Sequence, residues 1–260
     1  MKTIPSDSSM LEYGLMKPYS NMFCFSTTRH GGCSEGAYES FNCTHYCGDN
    51  LERVSANRRL LCSLLPEEPK ALVIPRQTHG VEVREISSYE VAESELDGVD
   101  ALMTDLKGCC LCVSTADCIP VLLYDVRHQA VAAVHAGWRG TVAGITGKVL
   151  EAMEARYGTR GRDVMACIGP GISLESFEVG DEVYEAFATA GFDMQRIARR
   201  YAKWHIDLWE ANRLQLLAKG VLPEHIEVAG ICTYQEHEHF FSARRLGIRS
   251  GRILSGIVRY

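Results

Sequence analysis

The sequence predicts a single α+β domain in which mixed β-sheets are flanked by helices. The chain has 260 residues, of which 46% are hydrophobic and 23% charged, a composition typical of a globular protein with a large core. Several apolar runs are continuous, as strands covered on both faces would be. These runs cluster between residues 70 and 135, ahead of the second helical pattern. That order favours layered mixed sheets over a regular alternation of strands and helices.

Apolar residues repeat with helical spacing in four segments. They are residues 50–65, 141–157, a segment that follows residue 180, and 207–220. Asp49 or Asn50 can cap the first helix, and Pro66 stops it. Gly158 is a C-terminal stop for the second helix, and Asp207 can cap the fourth.

The remaining regular segments have the apolar content of β-strands. They are residues 72–74, 81–86, 109–114, 121–124, 130–135, 164–168 and 227–232. Residues 1–21 show neither pattern, so we expect a loosely ordered lead-in there. The domain is accordingly predicted to span residues 22–260.

Charge and cysteine content exclude several classes of protein. The net charge is -6, which argues against a nucleic-acid-binding surface. No stretch approaches the roughly 18 apolar residues of a membrane span. The chain has 11 cysteines, and no apolar run of signal-peptide length precedes them. We therefore expect a cytoplasmic protein with free thiols, no membrane partner and no nucleic-acid partner.

Three short segments place a histidine or cysteine where a strand ends. They are residues 77–80, 116–120 and 135–140, and they contain His79, Cys118 and His135. Two imidazoles and a thiolate suit zinc or copper, and three protein ligands would leave a fourth position for water or substrate. The separations of 39 and 17 residues match no local zinc motif, so the residues alone do not decide for a metal.

Two other interpretations of the same residues remain open. Cys118 and the two histidines can be a buried thiol and loop imidazoles satisfied by the backbone. Alternatively, Cys118 can act as a nucleophile with His135 or His79 as its base, as in thiol hydrolases. Near the C-terminal end, Arg244, Arg245, Arg249 and Arg252 fit an anion site as well as a solvated basic tail.

Taken together, the motifs resemble those of the laccase-domain family, formerly called multicopper polyphenol oxidases, now regarded as purine nucleoside phosphorylases and also called peptidoglycan-editing factors. The most specific combination is Gln-Thr-His-Gly at 77–80, Ala-Asp-Cys-x-Pro at 116–120 and His-Ala-Gly-Trp-Arg-Gly at 135–140. The other matching segments are residues 25–32, 48–49, 57–58, 97–104, 168–170, 177–180, 207–208, 232–233 and 240–245. The resemblance covers nearly the whole chain.

The resemblance implies a fold, a metal and an activity. The fold would be the single α+β domain shared with cytotoxic necrotizing factor, and the metal a zinc ion held by His79, Cys118 and His135. The implied reactions are phosphorolysis of adenosine, inosine, guanosine and methylthioadenosine, and deamination of adenosine. The partners would thus be a purine nucleoside and phosphate, with these three residues forming the catalytic centre.

The resemblance also implies roles for residues around the metal. Asp117, or a water on the zinc, would deliver a proton to the leaving purine. The substrate or phosphate would be bound by residues matching family positions, namely Arg29, Gln77, Arg139 and Arg244. A guanidinium suits this role because it can bind a phosphate through two hydrogen bonds.

Three alternative functions stay open. A copper polyphenol oxidase would need paired histidines for several copper centres, whereas this chain has 9 histidines and a single His-x-His. A Cys-His thiol hydrolase or deamidase, or a peptidoglycan-editing hydrolase, would use Cys118 without zinc. A metal-dependent binding module would use the cluster without catalysis. Metal analysis and product analysis discriminate among them.

Overall fold

A computed structural model of the chain describes residues 8–260. Within this range the chain forms layers of helices and sheets. The helices are α1 Leu51–Leu64, α2 Trp138–Val142, α3 Ile145–Tyr157, α4 Asp181–Thr189, α5 Met194–Ile197, α6 Leu208–Ala218 and α7 Ala243–Leu246. The strands are β1 Met10–Glu12, β2 Met22–Thr27, β3 Ala71–Val73, β4 Val83–Glu85, β5 Ala101–Thr104, β6 Cys109–Thr115, β7 Ile119–Asp125, β8 Ala130–Ala136, β9 Val164–Ile168, β10 Glu178–Val179, β11 Ala198–Arg200, β12 Trp204–Ile206, β13 Ile226–Val228 and β14 Ile253–Arg259.

Two large mixed sheets form the centre of the fold, which confirms the predicted α+β class. The five-stranded sheet has the order β1-β2-β14-β6-β3, and the six-stranded sheet has the order β13-β9-β7-β8-β5-β4. A small sheet, β10-β12-β11, lies beside them. Both large sheets contain parallel and antiparallel pairs, for example parallel β3–β6 and antiparallel β14–β6.

Three apolar cores separate these layers. Leu111 of β6, Leu122 of β7 and Val131 of β8 belong to the core between the two large sheets. The outer face of the six-stranded sheet packs on α3 and α6 through a core that includes Val149 and Leu216. The outer face of the five-stranded sheet packs on α1. The central strands β6, β7 and β8 are buried along their whole length, which explains their continuous apolar sequences.

The predicted helix over 141–157 is in fact two helices. The chain is already helical from Trp138, and the two helices α2 and α3 are separated by Ala143 and Gly144. Gly144 has φ +79°, a left-handed conformation that glycine adopts without steric penalty. The apolar spacing continues across this break, so periodicity alone did not reveal it.

The lead-in expected over residues 1–21 is partly wrong. Residues 1–7 lie outside the described range. Met10–Glu12 forms β1 and pairs antiparallel with β2 at the edge of the five-stranded sheet. Tyr13 is buried and shares a 2.7 Å hydrogen bond with Ser26. A strand this short carries no recognisable alternation, and only its pairing with β2 defines it.

Two connections cross from one large sheet to the other, and they position the site. The loop after β6 carries Cys118 from the five-stranded sheet into β7 of the six-stranded sheet. The loop after β3 carries His79 from the five-stranded sheet toward β4 of the six-stranded sheet. His135 lies at the end of β8, opposite Pro120 of β7. The three segments therefore meet where the two sheets adjoin.

No helix within residues 8–260 is long and apolar enough to cross a membrane.

Candidate metal centre

His79, Cys118 and His135 converge on one point, although they are far apart in sequence. Each offers one ligand atom, and these atoms lie within 4.8 Å of one another. The two imidazole rings are 4.9 Å apart between centroids and nearly perpendicular. His79 is exposed, Cys118 is half-buried and His135 is buried. The cluster therefore has one side facing solvent and one side fixed in the protein.

Asp100 holds His135 in position. This carboxylate is fully buried, and its Oδ1 lies 2.7 Å from Nδ1 of His135. The backbone N–H of His135 also donates to the Asp100 carbonyl oxygen at 2.8 Å. Since Nδ1–H points at the carboxylate, Nε2 is left as the ligand atom. A carboxylate behind a metal-binding histidine fixes both its tautomer and its orientation.

The same carboxylate also fixes the loop that carries His79. The backbone N–H groups of Thr78, His79 and Gly80 donate to Asp100 at 3.2, 2.9 and 2.7 Å. Three successive N–H groups facing one anion form a concave nest. His79 adopts φ +65°, an uncommon conformation for a residue other than glycine. Asp100 therefore positions two of the three cluster residues.

Charge within the cluster favours the thiolate. Burial raises the pKa of the Cys118 thiol, but the neighbouring His135 and His79 outweigh this effect and lower the pKa to about 6. Burial lowers the pKa of His135, but Cys118 and Asp100 outweigh it and raise the pKa to about 9. In the absence of a metal, Cys118 and His135 thus form an ion pair. The thiolate is the form of cysteine that binds metals and attacks electrophiles.

Gly137 leaves room for the cluster. A Cβ atom at this position would lie 2.9 Å from Cδ2 of His79 and 3.1 Å from Sγ of Cys118. Contacts this short would displace one or both side chains. Glycine at the start of α2 is therefore required by close packing, and the His-Ala-Gly-Trp-Arg-Gly segment supplies it immediately after His135.

The cluster opens into a cavity of about 190 Å³. Its lining includes all three cluster residues and polar side chains from neighbouring strands. The other lining residues are Tyr46, Gln77, Ser114, Thr115, Ala116, Ala243, Ile248 and Arg252. No carboxylate is among these described lining residues. The cavity is therefore a place where a small molecule can reach the cluster without meeting a carboxylate.

The donor set fits a metal ion such as zinc. Two imidazole nitrogens and one thiolate sulfur are borderline-soft ligands. The ligand atoms lie within 4.8 Å of one another, so small adjustments of the side chains would bring them to roughly 2.0–2.3 Å from one ion, and the cavity provides the open fourth direction. Within residues 8–260, this is the only group of three or more His, Cys, Asp or Glu side chains with that spacing.

Asp117 lies in the same loop as Cys118 but is turned away from the cavity. One of its carboxylate oxygens accepts a hydrogen bond from Thr233 Oγ1 at 2.7 Å, and the other accepts one from the backbone N–H of Arg244 at 2.7 Å. One oxygen thus fastens the start of α7 to the loop, and the other fastens the segment that contains Thr233. This arrangement favours a supporting role for Asp117, and its role as a proton donor stays a prediction.

Gln77 lines the cavity, but its side-chain amide already forms hydrogen bonds within the protein. Its Nε2 donates to the carbonyl oxygen of Ser114 at 2.7 Å, and its Oε1 accepts from the Ser114 N–H at 2.9 Å. Tyr46 also donates its hydroxyl hydrogen to Oε1 at 3.3 Å. The side chain therefore extends the backbone pairing of β6, and a substrate-binding role for Gln77 stays a prediction.

The three arginines expected to bind phosphate do not line the cavity. Arg29 donates to the carbonyl oxygens of Glu39 and His237 at 2.9 and 2.8 Å. Arg139 is exposed, with its guanidinium stacked 4.3 Å over the Trp138 ring. Arg244 is exposed and donates to the Glu178 carbonyl oxygen at 3.2 Å. Their phosphate-binding roles stay predictions, with no support from this geometry.

Sequence reasoning missed Asp100 and gave no role to Thr115. Asp100 is contained in the matching segment 97–104, and a carboxylate directly before a buried strand is the signal that points to it. Thr115 ends an apolar strand and gives no such signal. On its sequence, Arg252 was grouped with Arg244, Arg245 and Arg249. Of these four arginines, only Arg252 lines the cavity.

The chain is similar in sequence to known proteins along most of its length. The sequence signature of the family described as "Multi-copper polyphenol oxidoreductase laccase" matches residues 23–260. A protein of Bacteroides thetaiotaomicron named purine nucleoside phosphorylase is 57% identical across 99% of each chain. A protein from an unknown prokaryotic organism, named adenosine deaminase RL5, is 44% identical over 90% of this chain and 93% of its own.

A solved structure shows the same fold. YlmD from Geobacillus stearothermophilus superposes with a TM-score of 0.88 at 32% identity, covering 100% of this chain and 98% of its own. The agreement extends over both large sheets and the helices that flank them. The chain therefore belongs to the multi-copper polyphenol oxidoreductase laccase family.

Proposed function

We propose that this chain is a zinc-dependent purine nucleoside phosphorylase that also deaminates adenosine. The observation that carries the proposal is the cluster of His79, Cys118 and His135 opening into a cavity free of carboxylates. Relatives that align along nearly the whole chain are named for these two activities. Adenosine, inosine, guanosine and methylthioadenosine are the proposed nucleosides.

The two reactions use different co-substrates at one site, phosphate in the first and water in the second. In phosphorolysis, a phosphate oxygen forms a bond to C1′ of the ribose while the bond from C1′ to the purine nitrogen breaks. The purine takes up a proton, and ribose 1-phosphate is the other product. In deamination, water adds to C6 of adenine and ammonia leaves, which gives inosine.

The protein's own residues prepare the site for either reaction. His79, Cys118 and His135 would hold the metal, and Asp100 keeps Nε2 of His135 directed at it. A bound zinc ion would act there as a Lewis acid. The cavity walls exclude bulk solvent from one side of the reacting atoms, which strengthens electrostatic interactions within it.

A thiol hydrolase is the second candidate function. The observation in its favour is the ion pair of Cys118 and His135 with Asp100 behind it, because a nucleophile, a base and an orienting carboxylate are thereby aligned. Such an enzyme would act without a metal. A copper oxidase is less well supported, since it would need more than one copper centre and the described residues offer one cluster.

Product analysis with adenosine tests the proposed function. Metal-loaded protein is incubated with adenosine in the presence and absence of inorganic phosphate. We expect adenine and ribose 1-phosphate only with phosphate, inosine in both cases, hypoxanthine from the further phosphorolysis of inosine only with phosphate, and loss of all of these products after treatment with a chelator. Turnover that survives the chelator would favour the thiol hydrolase. Absence of all of these products from metal-loaded protein would overturn the proposal.

A substitution at Gly137 tests whether the close packing of the cluster matters. The Gly137→Ala variant is expected to bind zinc at least about tenfold more weakly, because the added methyl group displaces His79 or Cys118. Gly147→Ala is the matched control, since its Cβ would meet only the ends of two long side chains, Lys219 Cε at 3.4 Å and Gln215 Oε1 at 4.0 Å, and alanine favours its helix. Zinc affinity is measured by competition with a chromogenic chelator. Equal affinities for the two variants would contradict the prediction.

A further inference from the structure

The cavity beside the metal centre contains a cation that no lining carboxylate balances. Arg252 donates hydrogen bonds to the backbone carbonyl oxygens of Ser250, Gly251 and Ile248 at 2.6, 3.0 and 2.8 Å. Because these acceptors are neutral, they hold the guanidinium in place without balancing its positive charge. The five N–H donors of a guanidinium are not exhausted by these three bonds. Arg252 is therefore a rigid cation with donors left for an anion.

A second polar group in the same cavity lacks a partner. Thr115 is 1% exposed, and its Oγ1 makes no hydrogen bond within the part of the chain that the structure describes. Burying a hydroxyl without a hydrogen bond is unfavourable. Thr115 is among the residues that line the cavity, so a rotation of its side chain would let the hydroxyl meet a molecule bound there.

Strand pairing brings these two groups to the metal centre. Ile253 of β14 lies directly opposite Thr115 of β6, so Arg252 is adjacent to the point where β6 ends. Ala116 and Cys118 follow from that same point. The cation, the unpartnered hydroxyl and the metal-ligating thiolate are thus contributed by two neighbouring strand ends.

We propose that Arg252 and Thr115 form the binding subsite for inorganic phosphate beside the metal centre. The guanidinium donates charge-assisted hydrogen bonds to phosphate oxygens, and the Thr115 hydroxyl donates a further one. This inference rests on the proposed phosphorolysis, which requires a phosphate next to the nucleoside. It places the anion site in the cavity itself, which Arg29, Arg139 and Arg244 do not line.

The larger neighbouring cavity is less suited to an anion. It has a volume of about 570 Å³ and adjoins the first cavity at Tyr46. Its two arginines, Arg58 and Arg76, are accompanied by the carboxylates of Glu93 and Asp97. Arg76 and Asp97 form an ion pair at 3.3 Å. Charge therefore favours the smaller cavity for phosphate.

Titration calorimetry with inorganic phosphate on zinc-loaded protein tests the subsite directly. We expect Arg252→Gln to weaken phosphate binding at least about tenfold, because a charge-assisted interaction is lost. Arg249→Gln is the matched control, since Arg249 lies three residues away, is exposed and does not line the cavity. It should bind phosphate like the wild type.

The Thr115→Val variant is expected to fold like the wild type. Valine has nearly the shape of threonine, and the hydroxyl that it removes has no partner in the protein. The variant should unfold at the same or a higher temperature, yet bind phosphate about three- to tenfold more weakly. A loss of affinity without a loss of stability cannot come from misfolding.

The outcomes separate this inference from the proposed function. Phosphate binding that depends on Arg252 and Thr115 supports the subsite even where adenosine gives no products, in which case only the phosphorolysis proposal fails. Wild-type protein that binds no phosphate overturns the subsite. Equal phosphate affinity in the wild type, Arg252→Gln and Thr115→Val also overturns it.

Discussion

Replacing Cys118 with alanine is expected to abolish metal binding and nucleoside turnover while the fold remains intact. The substitution removes the one anionic ligand of the cluster and leaves two imidazoles, which hold zinc weakly. We expect about one zinc per chain in the wild type and essentially none in Cys118→Ala. Turnover should fall by roughly a thousandfold or more, because a metal ion contributes several kcal/mol to catalysis. Metal content and phosphorolysis rates are measured on the same preparations.

Cys62→Ala is the matched control for the loss of a thiol. Cys62 is also a half-buried free cysteine, but it lies on α1, outside the cluster. Its variant should keep full metal content and activity. Metal-free Cys118→Ala should still fold and should lose roughly 1–3 kcal/mol of stability relative to metal-free wild type, since the charge pairing with His135 is removed while the three cores are untouched. A Cys118→Ala protein with full phosphorolysis would rule out both the ligand and the nucleophile role.

A Cys118→His variant distinguishes those two roles. Histidine can ligate zinc but is not a thiol. Retention of metal-dependent turnover in Cys118→His would support a ligand role for Cys118. Full metal content together with complete loss of turnover would favour the thiol nucleophile.

Replacing Asp100 with asparagine is expected to have the second largest effect. The carboxylate accepts hydrogen bonds from the His135 ring and from three backbone N–H groups. An amide has only one oxygen, so its NH₂ group would face N–H donors of the loop. We expect zinc affinity to fall by about 10- to 100-fold, as is usual when the group behind a metal-binding histidine is removed. Chelator competition measures this change.

Two further measurements show that Asp100 acts by positioning His135. The ¹⁵N chemical shifts of the His135 ring should report a fixed Nδ1–H tautomer in zinc-loaded wild type and a mixture in Asp100→Asn. Asp97→Asn is the control, because Asp97 is exposed and its substitution changes the charge equally. The free energy of unfolding should drop by about 1–3 kcal/mol in Asp100→Asn, as for a buried unsatisfied donor. An unchanged tautomer and an unchanged zinc affinity would contradict the positioning role.

The fold class could be predicted from the amino-acid sequence, because each central strand is recognisable from its own run of apolar residues. Residues 109–114, 121–124 and 130–135 are continuously apolar, and these runs became β6, β7 and β8. Burial on both faces by two cores imposes that pattern locally. The cap of α1 was also readable, since Asn50 Oδ1 accepts from the N–H groups of Glu52 and Arg53. β14, in contrast, was missed because Ser255 and Gly256 interrupt its apolar residues.

The three cluster side chains could be singled out from their motifs at strand ends, but only the family resemblance favoured a shared metal over the other interpretations. Separations of 39 and 17 residues give no local signal, since metal ligands close in sequence are the ones that spacing reveals. His79 and Cys118 meet because the loops that carry them both cross between the two large sheets. Such a meeting depends on sheet order, which no single segment encodes.

Which polar residues lie beside the cluster could be seen only in the tertiary structure. Arg29, Arg139 and Arg244 have the right chemistry for phosphate, yet backbone carbonyls or an aromatic ring occupy their guanidinium groups. Asp100 lies buried behind His135, and Thr115 is buried beside the cavity, and neither position follows from the sequence alone. A charge or hydroxyl interacts over a few ångströms, so its role depends on what the fold places beside it. Hydrophobic periodicity is local and readable in sequence, whereas the partner of a polar group is set by the packing of distant segments.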